Sequence, residues 1–158
     1  MNQRTQAKAD IVPFTMEYAP VVRSWIDSEE TYKNLCRGKD YPPPEEIVES
    51  WQRDAVSSYI LLWQRRPVAY GELFNRPLEM AVEITHLIVD PVKRCEGYGT
   101  KMLELLYNRA AARANVAKVV LNLYGDSEIT LGCYLKAGFV IEATSSYTIG
   151  FRMARMVT

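Results

Sequence analysis

Residues 80–102 read MAVEITHLIVDPVKRCEGYGTKM, and three kinds of local signal meet in them. β-Branched residues crowd the first half, as in a strand. Pro91 cannot donate to a ladder and ends that strand. Gly97 and Gly99 then stand at the mouth of a helix: from Thr100 onward, Leu103, Leu106, Ala110 and Ala114 fall on one face and Lys101, Glu104 and Asn108 on the other. That is the pattern of a helix covering a sheet. Strand, glycine loop and amphipathic helix in this order form a unit of an α/β fold, whose ligands bind beyond the carboxyl ends of the strands.

Outward from this unit, DIVPF (10–14) reads as a first strand and APVVRSWIDSEE (19–30) as a helix with Pro20 in its first turn, where the missing N–H is tolerated. CRGKDYPPPEE (36–46) is a stiff loop. Ile47, Trp51 and Ala55 recur every fourth residue and give a second helix, with Glu45 and Glu46 near its N-terminus. Two strands follow in SSYILLWQRRPVAYGELF (57–74). After the central unit come the strand KVVLNLY (118–124), a helix over SEITLGCYLKA (127–137) with Asp126 as N-cap and Gly138 as its left-handed stop, and a closing hairpin of FVIEATS and YTIGFRMAR. The order β-α-α-β-β-β-α-β-α-β-β, with no repeat or linker, predicts one α/β domain over residues 1–158.

Lys plus Arg and Asp plus Glu both number 19, so no whole-molecule field favours nucleic acid. Apolar residues make up 48% of the chain, a globular composition. Cys36, Cys95 and Cys133 form an odd set without C-x-x-C spacing, which points to free thiols rather than a disulfide framework or a metal cluster. The N-terminal stretch lacks the apolar segment of a signal peptide, and runs such as YILLW fall short of a bilayer span. A cytoplasmic protein with no membrane or nucleic-acid partner is expected.

Gly97 and Gly99 at a helix N-terminus leave a concavity of unpaired N–H groups at the positive end of a helix dipole, suited to a phosphate or pyrophosphate. A tight loop that simply needs positive φ is the alternative. A dinucleotide fingerprint would need a third glycine where Met102 stands, and a Walker A loop would need Gly-Lys-Ser/Thr where the chain has Gly99-Thr100-Lys101. Arg94-Cys95-Glu96-Gly97-Tyr98-Gly99 instead resembles the Q/R-x-x-G-x-G/A signature of the GCN5-related N-acetyltransferase (GNAT) superfamily. THLIVDP resembles the family's strand before that loop, and CYLKAGF (133–139) its Y-x-K-x-G-F segment.

The resemblance implies a single-domain fold with a mixed sheet of about six to seven strands and about four helices. It implies acetyl-CoA as cosubstrate, no metal, and direct transfer of acetyl to a primary amine in a ternary complex. A non-catalytic acyl-CoA-binding module with the same fold is the alternative. Leu87, Ile88, Val89, Arg94, Cys95, Glu96, Gly97, Tyr98, Gly99, Thr100, Ser127 and Tyr134 would contact the cofactor, with a backbone N–H near Ile88 or Val89 holding the oxyanion. Glu96 stands where the family usually has Arg or Lys, and Ser127 where it often has Asn. Glu83 corresponds to the glutamate base of histone-acetylating relatives, and Tyr134 to the acid that serves the departing thiolate. Alternation puts Glu83, Thr85, Leu87 and Val89 on one face, with His86 opposite as a packed histidine, although a bulge, common in this strand of the family, would alter the phase. Glu29, Glu30, Glu72 and Glu83 are available to attract a cationic acceptor between the 36–44 loop and the final hairpin. A small-molecule or peptide amine is the expected partner, and a homodimer is frequent among such folds.

Overall fold

The computed structural model describes residues 9–125, 128–144 and 150–158. Seven strands, β1 (Ala9–Pro13), β2 (Val56–Trp63), β3 (Arg66–Arg76), β4 (Ala81–Val89), β5 (Lys118–Tyr124), β6 (Val140–Thr144) and β7 (Gly150–Met156), form one sheet in the order β1-β2-β3-β4-β5-β7-β6. Five helices accompany them: α1 (Ala19–Ser24), α2 (Glu29–Cys36), α3 (Ile47–Ser50), α4 (Tyr98–Ala111) and α5 (Glu128–Lys136). No described helix is long and apolar enough to cross a membrane.

The single helix read over residues 19–30 is two helices. Trp25 and Ile26 turn into the core, and the Ser28 side chain accepts from the Thr31 N–H at 3.0 Å, capping a new helix at Glu29. The helix read around Ile47, Trp51 and Ala55 shrinks to the one turn of α3. Buried Trp51 follows it as an anchor, and Ala55 lies outside. The central helix also stops short of Ala114, at Ala111.

The sheet separates two cores. On one face Met102, Leu103, Leu106, Tyr107 and Ala110 of α4 pack on Leu73, Val82, Ile84 and Leu121. On the other, Val22, Trp25, Val48 and Trp51 cover Ile60, Tyr70 and Ile88. Such burial of apolar surface is the main force holding both layers. Arg155 of β7 ties these layers to the end of α5. Its guanidinium lies 3.7 Å from the Tyr107 ring centroid, pairs with Glu104 at 3.1 Å and donates to the Ala137 carbonyl at 3.0 Å.

Two irregularities in β4 position the site. β4 and β5 run parallel only over Ala81–Ile84 against Lys118–Leu121 and then part. Opposite Gly71, β4 carries one extra residue: Glu72 pairs with Thr85 and Tyr70 with Ile88, so His86 and Leu87 face a single residue of β3. His86 takes the left-handed conformation this bulge requires (φ 48°). Gly71 is dictated by packing, because a Cβ there would stand 2.6 Å from Leu106 Cδ1 and 3.4 Å from Leu87 Cδ1. Replacing Gly71 with Ala forces α4 or Leu106 to shift. A destabilisation of about 1–3 kcal/mol in urea unfolding is expected from such overpacking, with an unchanged m-value.

Candidate active site

The loop between β4 and α4 is built to leave its N–H groups open. The Asp90 side chain accepts from the Val92 N–H at 3.0 Å and starts a short 3-10 turn over Pro91–Lys93. Cys95 (φ 66°) and Gly97 (φ 91°) are both left-handed, which curls the backbone into a concave nest. No side chain caps α4, whose first intrahelical bond runs from the Lys101 N–H to the Gly97 carbonyl, so the N–H groups of Tyr98, Gly99 and Thr100 have no helical acceptor. A Cβ at Gly97 would meet nothing within 4 Å, and one at Gly99 would meet only Val89 Cγ2 at an ordinary 3.4 Å. Conformation requires Gly97. Neither conformation nor internal packing requires Gly99, which leaves room in front of the helix terminus.

A cavity of about 550 Å³ runs from this terminus along the gap between β4 and β5. Leu87, Val89 and Arg94 line it, with Gly97, Gly99 and Thr100 at one end and Tyr134 at the other. Asp90 donates its N–H to the Val68 carbonyl at 2.9 Å. By ladder alternation the N–H of Val89 therefore points away from β3 and into the gap, whereas that of Ile88 points toward β3. A second cavity of about 230 Å³ opens on the other side, lined by Glu83, Thr85, His86, Cys36 and Arg53. Asn34, Leu35, Leu87, Asn122, Tyr124 and Tyr134 line both. The two cavities thus share a wall that includes Tyr134, the residue of α5 common to both. Burial, and secondarily the neighbouring Cys133, pushes the Tyr134 phenol up to about 12.

One carboxylate, Glu83, lines the second cavity, and a second, Glu72, lies behind the lining residues Thr85 and His86, to which it is hydrogen-bonded. Glu83 is 7% exposed and both its oxygens are engaged, one by Arg76 Nε at 2.6 Å and the other by Asn122 Nδ2 at 3.3 Å. Glu72 is 1% exposed and accepts from the Tyr70 hydroxyl, from Thr85 Oγ1 at 2.9 Å and from His86 Nδ1 at 2.7 Å. Burial, reinforced by Glu72, holds the Tyr70 phenol far above its ordinary value. The His86 ring stacks on Trp51 with centroids 4.1 Å apart and planes 11° from parallel.

The bulge corrects the alternation read from the sequence. Glu83 and Thr85 do share a face, but the extra residue swings His86 onto it, while Leu87 and Val89 join the α4 core on the other. Glu96 and Tyr98 do not line the first cavity. Glu96 is exposed, and the Tyr98 ring packs 6.0 Å from that of Trp63. Arg94 lines the cavity yet is turned toward α1, donating to the carbonyls of Val89 and Trp25 at 3.3 Å each and lying 3.7 Å from Asp27. The 36–44 loop contributes only Cys36, because Arg23 draws the carbonyls of Pro43 and Pro44 against α1 at 2.6 and 3.0 Å. Glu29 and Glu30 are exposed in the first turn of α2 and line neither cavity. Ser127, Asp126 and the turn of the final hairpin lie outside the described residues. Asn34 and Asn122 escaped the sequence reading. Asn122 was detectable as the one polar side chain inside KVVLNLY, whereas α2 carries no motif.

Several solved structures share this architecture. Spermidine N-acetyltransferase from Vibrio cholerae, in complex with CoA and spermine, superposes with a TM-score of 0.80 at 12% identity, covering 96% of each chain. The ribosomal-protein-S18-alanine N-acetyltransferase from Escherichia coli gives 0.69 at 16% identity, covering 95% of this chain and 94% of its own. Aminoglycoside acetyltransferase AAC(6')-Ib, in complex with coenzyme A and kanamycin, gives 0.75 at 17% identity with 94% of each chain covered. At these identities the likeness is one of fold. The acetyltransferase (GNAT) family, matched across residues 21–139, carries the assignment further: with its glycine loop at the head of α4 and its parted β4 and β5, this chain belongs to that family and is an N-acetyltransferase that uses acetyl-CoA.

Proposed function

We propose that the protein transfers acetyl directly from acetyl-CoA to the primary amine of a small molecule or peptide, with both substrates bound at once. The observation that carries this reading is the meeting of two cavities at Tyr134: one leads to the open helix terminus of α4, the other to Glu83 and His86 of β4. The pyrophosphate of the donor sits at the N–H groups of Tyr98, Gly99 and Thr100, where both hydrogen bonding and the helix dipole favour an anion. The acceptor enters from the other side as an ammonium, drawn by the charge of Glu83.

After the amine has lost a proton, its lone pair attacks the thioester carbonyl carbon. The developing oxyanion falls within reach of the Val89 N–H, a fixed donor that needs no reorganisation. As the C–S bond breaks, Tyr134 donates its proton to the departing sulfur. A phenol pushed up to about 12 remains protonated at neutral pH, so it serves as a donor and not as a base. Neither Cys95 nor Cys133 has a base beside it among the described residues, which favours direct transfer over an acyl-cysteine.

Thiol release from acetyl-CoA against polyamines, aminoglycosides, amino acids and peptide N-termini tests the reading. At least one class should be acetylated, with intersecting initial-rate patterns. If coenzyme A binds and none of these amines releases thiol, direct transfer to a small-molecule or peptide amine is wrong. Coenzyme A should raise the melting temperature, by the equivalent of about 2.7 kcal/mol at a hundredfold excess over Kd, and NAD should not. Tyr134→Phe should lower kcat by about 10²-fold or more with unchanged coenzyme A affinity. Because its acidic form is the active one, the wild-type rate should show no Tyr134 ionisation until the pH approaches about 12. Glu83→Gln should lower kcat/KM by about 10²-fold near neutral pH and by less at alkaline pH, where the amine is already free of its proton.

A further inference from the structure

We propose that Glu72 and His86 form a dyad that takes the proton from the incoming ammonium, with His86 Nε2 as the accepting atom and Glu72 as the residue that orients the ring. The inference rests on the acetyl-transfer reading and assigns the one step that reading leaves open.

Geometry assigns the tautomer. His86 Nδ1 lies 2.7 Å from Glu72 Oε1, and a carboxylate accepts, so Nδ1 carries the hydrogen and Nε2 keeps its lone pair. Nε2 makes no hydrogen bond to any described residue, the side chain is 19% exposed, and His86 lines the acceptor cavity. Glu72 is held still: Thr85 and the Tyr70 hydroxyl occupy it, Gln52 Nε2 donates to that hydroxyl at 3.0 Å, and Ser58 anchors Gln52 at 2.7 Å. Trp51 fixes the ring plane and offers its face to an imidazolium. The backbone adds an independent indication, since a β-strand histidine at φ 48° is strained, and strained conformations cluster at functional sites. Here the strain turns the imidazole to the face that holds Glu83.

Among the described residues, seven titratable or charged groups face the ring. Glu72 and Tyr70 face it from β3, Cys36 from α2, Arg53 from the segment after α3, Glu83 from β4, Tyr124 from β5 and Tyr134 from α5. The two carboxylates favour the imidazolium and Arg53 opposes it. Glu83 is the poorer acceptor, because Arg76 and Asn122 occupy its oxygens and a carboxylate is intrinsically a weaker base than an imidazole. Its charge holds the ammonium while His86 removes the proton.

The balance closes. R–NH3+ gives one proton to Nε2 and becomes R–NH2; N–C bond formation and C–S cleavage follow. Tyr134 protonates the sulfur and recovers a proton from the former amine nitrogen. His86 releases its proton to solvent.

The test uses His86→Asn and His86→Gly. Both residues tolerate a left-handed backbone, and the asparagine amide can still donate to Glu72. Wild-type kcat/KM should fall on the acid side through one ionisation. His86→Asn should lose about 10²-fold near neutrality, lack that ionisation, and approach the wild-type rate as pH rises. Added imidazole should restore His86→Gly by about tenfold or more and leave Glu83→Gln unaffected. Glu72→Gln should move the ionisation to lower pH, a readout that a merely structural role would not change. Coenzyme A thermal shifts confirm that each variant is folded. The proposal is overturned if folded His86→Asn keeps the acid limb, if folded His86→Gly ignores imidazole, or if the limb disappears in Glu83→Gln instead. Failure of the wild type to acetylate any amine sinks the acetyl-transfer reading itself, and the dyad with it.

Discussion

The parting of β4 from β5 is the constraint on which the rest of the molecule depends. A parallel pair stays together only while both strands follow the same twist. The extra residue at His86–Leu87 increases the local twist and bends β4 away just after Ile84. Backbone groups released in this way are costly if buried without partners, so the separation is tolerable only beside a space that water or a ligand fills. The gap is that space. Its walls are kept apart by two layers that cannot move independently: α4 seated against Gly71 on one face, and the Trp51, Tyr70 and Ile88 cluster on the other.

Charge is distributed across the sheet rather than along the chain, which explains why a zero net balance conceals a polarised site. On the donor side no carboxylate of the described residues lines the cavity, and the positive potential comes from peptide dipoles together with Lys93 and Arg94. Two nearly buried carboxylates stand on the acceptor side. Each is held by hydrogen bonds rather than left bare: Glu83 by a guanidinium and an amide, Glu72 by two hydroxyls and an imidazole. A buried charge persists only with such partners. Under the proposed reading, a cationic acceptor and an anionic cosubstrate would approach one reacting centre from opposite sides without crossing each other's field.

The fold was largely legible because its central unit obeys local rules. The β-branched run of β4, the break at Pro91 and the amphipathic α4 each follow from short-range physics, and the glycines announce a backbone that must stay open. What escaped was tertiary. No local signal separates one long helix at 19–30 from two short ones when the break depends on Trp25 and Ile26 turning into a core that residues 48–88 complete. The resemblance suggests a bulge in β4, but its position was hidden, since a histidine at positive φ has no sequence signature, and one inserted residue inverts the facing of all that follow it. Glu83 and Thr85 share a face, as alternation requires, because they precede the bulge; His86 departs from alternation because it lies within it. Asn34 became part of the site only through the packing of α2 over the end of β5.

β7 lies inside the sheet, between β5 and β6, although it is the last of the seven strands in the chain. During vectorial synthesis β1 to β5 emerge first, and β5 then presents an unpaired edge along all seven of its residues until β7 arrives to cover it. β6 has no neighbour in the sheet other than β7, so it too waits. The Tyr107 hydroxyl bonds the carbonyl of Met156, and Arg155 reaches Glu104 and the end of α5, so the helix that carries Tyr134 is secured by a strand that leaves the ribosome after it. The order of chain emergence thus makes a half-made sheet with an open edge an obligatory stage in the life of the protein. A nascent chain arrested anywhere before residue 150 would be a natural client for a chaperone that recognises unpaired strands.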